Sequence, residues 1–116
     1  MKDRLYGCKC GCNTGTVTPI MAAVYEYIHD GLANDGIDTA INSAYRCKDH
    51  NKAVGGSPTS SHLTGKAIDI AAAGSREKYL IVEAALEAGA TRIGIGKGFI
   101  HIDVDDDKDQ EVLWLY

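Results

Sequence analysis

Two short stretches of the chain bring together imidazole and carboxylate groups, the side chains from which hydrolytic metal sites are built. In the first, Ser60-Ser61-His62-Leu63-Thr64-Gly65-Lys66-Ala67-Ile68-Asp69, a histidine and an aspartate stand seven residues apart across a glycine. Gly65 lets the backbone bend, so a loop-borne His62 and a strand-borne Asp69 could turn toward one point. In the second, Phe99-Ile100-His101-Ile102-Asp103-Val104, side chains alternate as along a strand. Phe99, His101 and Asp103 then share one face, and Ile100, Ile102 and Val104 the other. Taken singly, each stretch is compatible with a surface histidine or a solvated strand face. Together, two histidines and one carboxylate make a His2Asp set with a fourth position open to water, the layout of catalytic rather than structural zinc.

Those residues need elements to hold them. Thr18-Pro19 reads as an N-cap followed by proline at the first helical position, and Ile20, Met21, Val24, Tyr27, Ile28 and Leu32 follow at helical spacing. A first amphipathic helix is expected to run to Asn34 and close at Gly36. Residues 37–45 alternate and carry β-branched side chains, which predicts a strand leading into a polar turn. Residues 48–54 predict one short helix, stopped by Gly55-Gly56 and the Ser57-Pro58 loop. A short apolar strand at 67–71 precedes a helix at 75–88, with Ser75 as its cap and Tyr79, Leu80, Val82, Ala85 and Leu86 as its apolar side. Three strand-like stretches follow at 91–95, 99–104 and 112–116, separated by Gly96-Lys97-Gly98 and by an acidic turn at 105–109. Helices segregated from a late meander of strands argue an α+β domain, an antiparallel sheet with helices packed on one side.

At 116 residues the chain holds one domain, 1–116, and its 45% hydrophobic and 24% charged residues suffice for a core without covalent staples. Its 12 basic and 16 acidic residues give a net charge of -4, an unfavourable field for polyanions, so no nucleic acid is expected as partner. The longest apolar run, 68–73, is interrupted by Asp69 and falls far short of the ~20 residues that a spanning helix requires. Residues 1–6 lack the apolar stretch of a secretory signal, and 2–17 read as a loop rich in Gly, Cys and Thr. Within that loop Cys8, Cys10 and Cys12 cluster, while Cys47 stands alone 35 residues later. This is not the C-x2-C spacing of a zinc knuckle. A bridge from one clustered cysteine to Cys47, or reduced thiols in the loop, is the favoured reading, with a C-x-C-x-C metal domain and incidental histidines as the alternative. Asp105-Asp106-Asp107 lacks the glycine and distal glutamate of an EF-hand loop and reads as a solvated turn. Ser60 and Ser61 are expected to shape the loop around His62, His50 to cap or pack, and His29 to have no role.

Four elements in this order resemble the zinc D-alanyl-D-alanine carboxypeptidase-like peptidases. That family includes cell-wall carboxypeptidases, D-Ala-D-Ala dipeptidases and phage L-alanyl-D-glutamate endolysins, and it has the hedgehog/DD-peptidase-like fold. The elements are Ser43-Ala44-Tyr45-Arg46, His50-Asn51-Lys52-Ala53-Val54-Gly55-Gly56, the S-x-H-x-x-G-x-A-x-D stretch at 60–69, and Gly98-Phe99-Ile100-His101-Ile102-Asp103-Val104. The resemblance spans 42–104, and the cysteine-rich opening and the Trp114-Leu115-Tyr116 end look like the small phage-derived branch. It implies that His62, Asp69 and His101 bind zinc and that Arg46 stabilises the polarised substrate carbonyl or holds a carboxylate, a task suited to an arginine fork. It further implies an enzyme with Zn2+ as cofactor that cuts a peptidoglycan peptide as carboxypeptidase or endopeptidase; a monomer without membrane insertion is expected. Lacking a signal peptide, such a protein is expected to be a phage or prophage product, made in the cytoplasm and acting on the cell wall after release. Family members often carry Glu three residues before the last zinc histidine, or His two before it, and here those positions are Gly98 and Phe99. Asp103, on the face of His101, is the expected general base, with orientation of the His101 ring or pairing with Arg46 as its other readings. A non-catalytic, zinc-stabilised cell-wall or protein binding module of the same fold is the alternative to an enzyme.

Overall fold

Thr18 starts the first long helix, α1 (Pro19–Ala33), by accepting a hydrogen bond from the Met21 N–H at 3.2 Å, with Pro19 in the first turn. Met21, Val24, Tyr25, Ile28 and Leu32 are buried, an unbroken stripe at i, i+3 and i+4 spacing. Ile20 and Tyr27, expected on that stripe, sit at its flank and are 69% and 53% exposed. Asn34 caps the helix, and Gly36, at φ 72°, turns the chain away. The structure is a computed structural model that describes residues 6–116, so residues 1–5, read above as the signal-free start of the opening loop, lie outside it.

Two further helices, α2 (Lys48–Ala53) and α3 (Ser75–Ala88), fall where the sequence predicts them. The cap of α3 is Gly74 rather than Ser75, and its buried side is Ile81, Ala84 and Ala85. Tyr79 and Leu86, expected to face inward, lie on the far side of that stripe and are exposed.

Five strands form one mixed sheet: β1 (Ile41–Ser43), β2 (Ala67–Ala71), β3 (Arg92–Ile95), β4 (Phe99–Asp103) and β5 (Val112–Leu115), in the order β1-β2-β4-β3-β5. The pairs β1·β2, β2·β4 and β3·β4 are antiparallel, as expected, and β3·β5 is parallel. That pair corrects the all-antiparallel expectation. Strand β4 ends at Asp103 beside Arg92, where β3 begins, so the turn at 104–111 delivers β5 in the direction of β3. Strand β1 is much shorter than the predicted 37–45. Its register with β2 slips between Ile41 and Ser43, and beyond it the backbone bonds elsewhere: the Tyr45 N–H donates to Tyr6 and the Arg46 N–H to His62.

Strand alternation gives this sheet two unlike faces. Ile68, Ile70, Ile93, Ile100 and Ile102 point to one and are buried against α1 and α3. Asp69, Arg92, His101, Asp103 and Trp114 point to the other, where they line an open pocket. Among the described residues, no helix is long and apolar enough to cross a membrane.

Packing of α1 on the sheet sets an expected pair of outcomes. Ile28→Ala, at a fully buried position, should cost about 2–5 kcal/mol in denaturant unfolding, whereas Ile20→Ala should stay within about 0.5 kcal/mol. Equal costs would show that the helix presents a different face.

Candidate active site

One transverse row of the sheet carries the centre of the site. Asp69 pairs directly with His101, His101 with Gly94 on its other side, and Ser43 and Trp114 complete the row. A side chain at Gly94 would collide with the rings of Trp114 and Tyr116, so glycine leaves room for the aromatic wall. His101 lies with its ring centroid 5.4 Å from that of Trp114.

His62 comes from outside the sheet, on a single 3-10 turn at Ser61–Thr64. Ser60 caps the turn by accepting from the His62 N–H, and Gly65 ends it at φ 72°. A side chain at Gly65 would strike the Thr16 carbonyl, so both the dihedral and the close approach demand glycine. The turn brings His62 Nε2 to 3.2 Å from Asp69 Oδ1, while His101 Nδ1 lies 2.9 Å from the same oxygen. Asp69, His62 and His101 thus meet at one point, each offering one donor atom within 4.8 Å of the others.

Neighbouring groups fix which nitrogen each ring presents. The Ala44 carbonyl lies 2.6 Å from His62 Nδ1 and can only accept, so Nδ1 carries the hydrogen and Nε2 offers a lone pair. That Nε2 is buried and has no hydrogen-bond partner among the described residues. An orphaned imidazole nitrogen facing a second imidazole and a carboxylate is the donor set that zinc takes, so these residues fit the metal. On His101, Nε2 donates to Asp103 Oδ2 at 2.7 Å, leaving Nδ1 to face the centre. Burial pushes the Asp69 carboxyl up, but the His101 and His62 imidazoles beside it outweigh this and hold Asp69 well below the usual carboxylate range. For His101, burial favours the neutral ring, yet the hydrogen bonds to Asp103 and Asp69 raise its pKa above the ordinary histidine value.

Arg46 stands at the wall of the same pocket, which has a volume of about 340 Å³. Its Nε donates to Ser43 Oγ, its Nη1 to Asn51 Oδ1, both at 2.9 Å, and its Nη2 pairs with Asp69 at 3.5 Å. Gly56 must be a glycine here, because a side chain would meet Asn51 and the guanidinium. Asp103 is 1% exposed and fully engaged: besides His101, it accepts from Arg92 Nε at 3.0 Å and from the Asp105 N–H at 3.1 Å. Its carboxylate lies behind the His101 ring rather than at the open centre, the geometry of a group that orients the imidazole.

Asp105 is a correction to the solvated turn expected at 105–107. It is buried, accepts from the Ser61 hydroxyl at 2.7 Å, and pairs with Lys66 at 3.7 Å and Lys108 at 3.9 Å. The acidic turn therefore ties down the segment that carries His62. Asp105 shares the odd-number parity of His101 and Asp103, a signal that the sequence did hold. Ser43, Asn51, Arg92, Trp114 and Tyr116 were missed as site residues, since their roles depend on which strands become neighbours. His29 is exposed and bonds Thr39 through Nδ1 at 2.7 Å, and His50 lies on α2.

An open two-histidine, one-carboxylate centre in a pocket on the bare face of a helix-backed sheet defines the site of a metal-dependent hydrolase. The chain belongs to the zinc D-alanyl-D-alanine carboxypeptidase-like peptidases: the family model described as Peptidase M15 matches residues 4–103, a span that takes in Arg46 and the whole His62, Asp69, His101 set. A search of curated proteins finds no match. Peptidases of this family depend on zinc in general, and the α+β fold is the one expected of a member.

The bond from His101 to Asp103 has a measurable signature. In metal-free protein, the His101 ring should titrate by NMR with a midpoint above about 6.5, and Asp103→Asn should bring that midpoint down. A His101 midpoint unmoved by the substitution would refute the coupling.

Proposed function

We propose that this protein is a zinc-dependent peptidase that hydrolyses amide bonds in peptidoglycan stem peptides, as a carboxypeptidase or an endopeptidase. The observation that carries this reading is the bare Nε2 of His62, buried and turned toward Asp69 and His101. Zinc held by His62, Asp69 and His101 would supply a Lewis acid that makes water nucleophilic near neutral pH. Two of the five N–H groups of Arg46 have no partner among the described residues. They are free to take the oxygen on which charge develops, or the terminal carboxylate of a stem peptide. Arg92 and Lys108 line the same pocket and add to its positive field for an anionic peptide end. Phe99, Trp114 and Tyr116 give the pocket an apolar wall for the peptide's methyl groups. Asp103 acts as a positioning residue for His101 in this reading. The sequence resemblance to the small phage-derived branch supports a phage or prophage product that meets the wall after release.

One observation favours the second reading, a non-catalytic binding module. Among the described residues, the pocket is lined by no carboxylate besides Asp69 and Asp103, and both are bonded. Amino acids or new amino termini released from purified peptidoglycan separate the two. The peptidase should release one or the other, stop with chelator and resume with zinc, whereas a module would bind the wall and release neither.

His62→Ala and His101→Ala should each remove the histidine-bound zinc and the peptidase activity together; a variant that keeps both disproves the assignment. Arg46→Ala is expected to lower kcat by about 10²-fold while zinc content holds. Asp103→Asn should weaken zinc affinity about 10–100-fold yet retain turnover once saturated with metal. Turnover lost from fully loaded Asp103→Asn would return the general-base role to Asp103.

A further inference from the structure

The four cysteines play no part in the pocket, yet the fold gathers them. Cys8 Sγ lies 3.3 Å from Cys10 Sγ and 3.7 Å from Cys47 Sγ, and Cys10 and Cys47 are 3.6 Å apart. With Cys12 included, all four sulfurs lie within 4.8 Å of one another. A zinc–thiolate bond of about 2.3 Å sets the edge of a sulfur tetrahedron at about 3.8 Å. A disulfide would instead draw two sulfurs to about 2.05 Å and leave the others aside. The observed spacing is close to the first pattern, and all four cysteines are free thiols.

The surrounding backbone suits thiolate ligands. The Cys47 N–H donates to Cys8 Sγ and the His50 N–H to Cys47 Sγ, each at 3.4 Å, the kind of outer contact that orients and stabilises a metal-bound sulfur. Gly11, at φ 82° with its N–H bonded to the Cys8 carbonyl, makes the tight turn that lets Cys10 and Cys12 approach the same point despite their alternating spacing. We propose that Cys8, Cys10, Cys12 and Cys47 form a second metal site, which takes one zinc ion as a closed tetrathiolate. With four protein ligands no position is left for water or substrate, so the site is structural. Cys47 follows Arg46 directly and caps α2, so the ion fastens the opening loop to the segment that presents the arginine. Lys9 reinforces the contact by donating to the Ile41 carbonyl at 3.2 Å.

Metal analysis of the full chain, purified under reducing conditions, tests this independently of the peptidase reading. Wild-type protein should carry two zinc equivalents and the His62→Ala/His101→Ala variant one. X-ray absorption on that variant should give sulfur alone at about 2.3 Å, and adding Cys47→Ser should abolish the remaining zinc. If the histidine variant fails to fold, cobalt-substituted wild type decides, because a tetrathiolate gives intense thiolate-to-cobalt charge-transfer absorption. A histidine variant without zinc, a mass lighter by one disulfide, or cobalt protein without that absorption overturns the proposal. Loss of the histidine-bound equivalent alone would count against the peptidase and leave this site standing.

Discussion

The carboxylate of Asp69 is the point where four segments of the chain meet. His62 reaches it from a 3-10 turn, His101 from the neighbouring strand, and Arg46 from the loop after β1. Burying a carboxylate costs several kcal/mol unless charged or hydrogen-bonding partners accompany it. Asp69 at that position is therefore tolerable only when all three arrive, and any arrangement lacking one leaves a charge without compensation. The polar face of the sheet is organised by this requirement, while the opposite face is governed by isoleucine burial.

Much of this was legible in the sequence. The Thr18-Pro19 start, the β2 strand and the α3 bounds came from local signals, namely a cap, a proline and an apolar run. His62, Asp69 and His101 were readable because a glycine and strand alternation are local too. Resemblance to a family supplied Arg46, which local spacing alone could not distinguish from a surface ion pair. What was not legible depended on neighbours distant in the chain. The parallel partner of β3 and the Trp114 and Tyr116 side of the aromatic wall follow from where β5 returns, and no periodicity encodes that. The facing of α3 failed for a related reason, since Tyr79 and Leu86 look apolar enough to bury and only the docking angle rejects them.

The guanidinium shows how a functional group is held still without being used up. Ser43, Asn51 and Asp69 fix three of its edges, and Gly56 gives way so that Asn51 can approach. An arginine restrained in this manner loses little rotamer entropy when a substrate arrives. The hydrogen-bonded glycine turn after α2 thus belongs to the same functional unit as the strands.

Asp105 closes a circuit. From Asp69 the contacts pass to His101, on to Asp103, through the Asp105 N–H to its carboxylate, then to Ser61 and, across one peptide bond, to His62, which faces Asp69 again. A closed ring is over-determined: cutting any one link leaves the two imidazoles connected by the other arc. Losses from two cuts then exceed the sum of each alone, so the members form one thermodynamic unit whose couplings only paired substitutions would resolve.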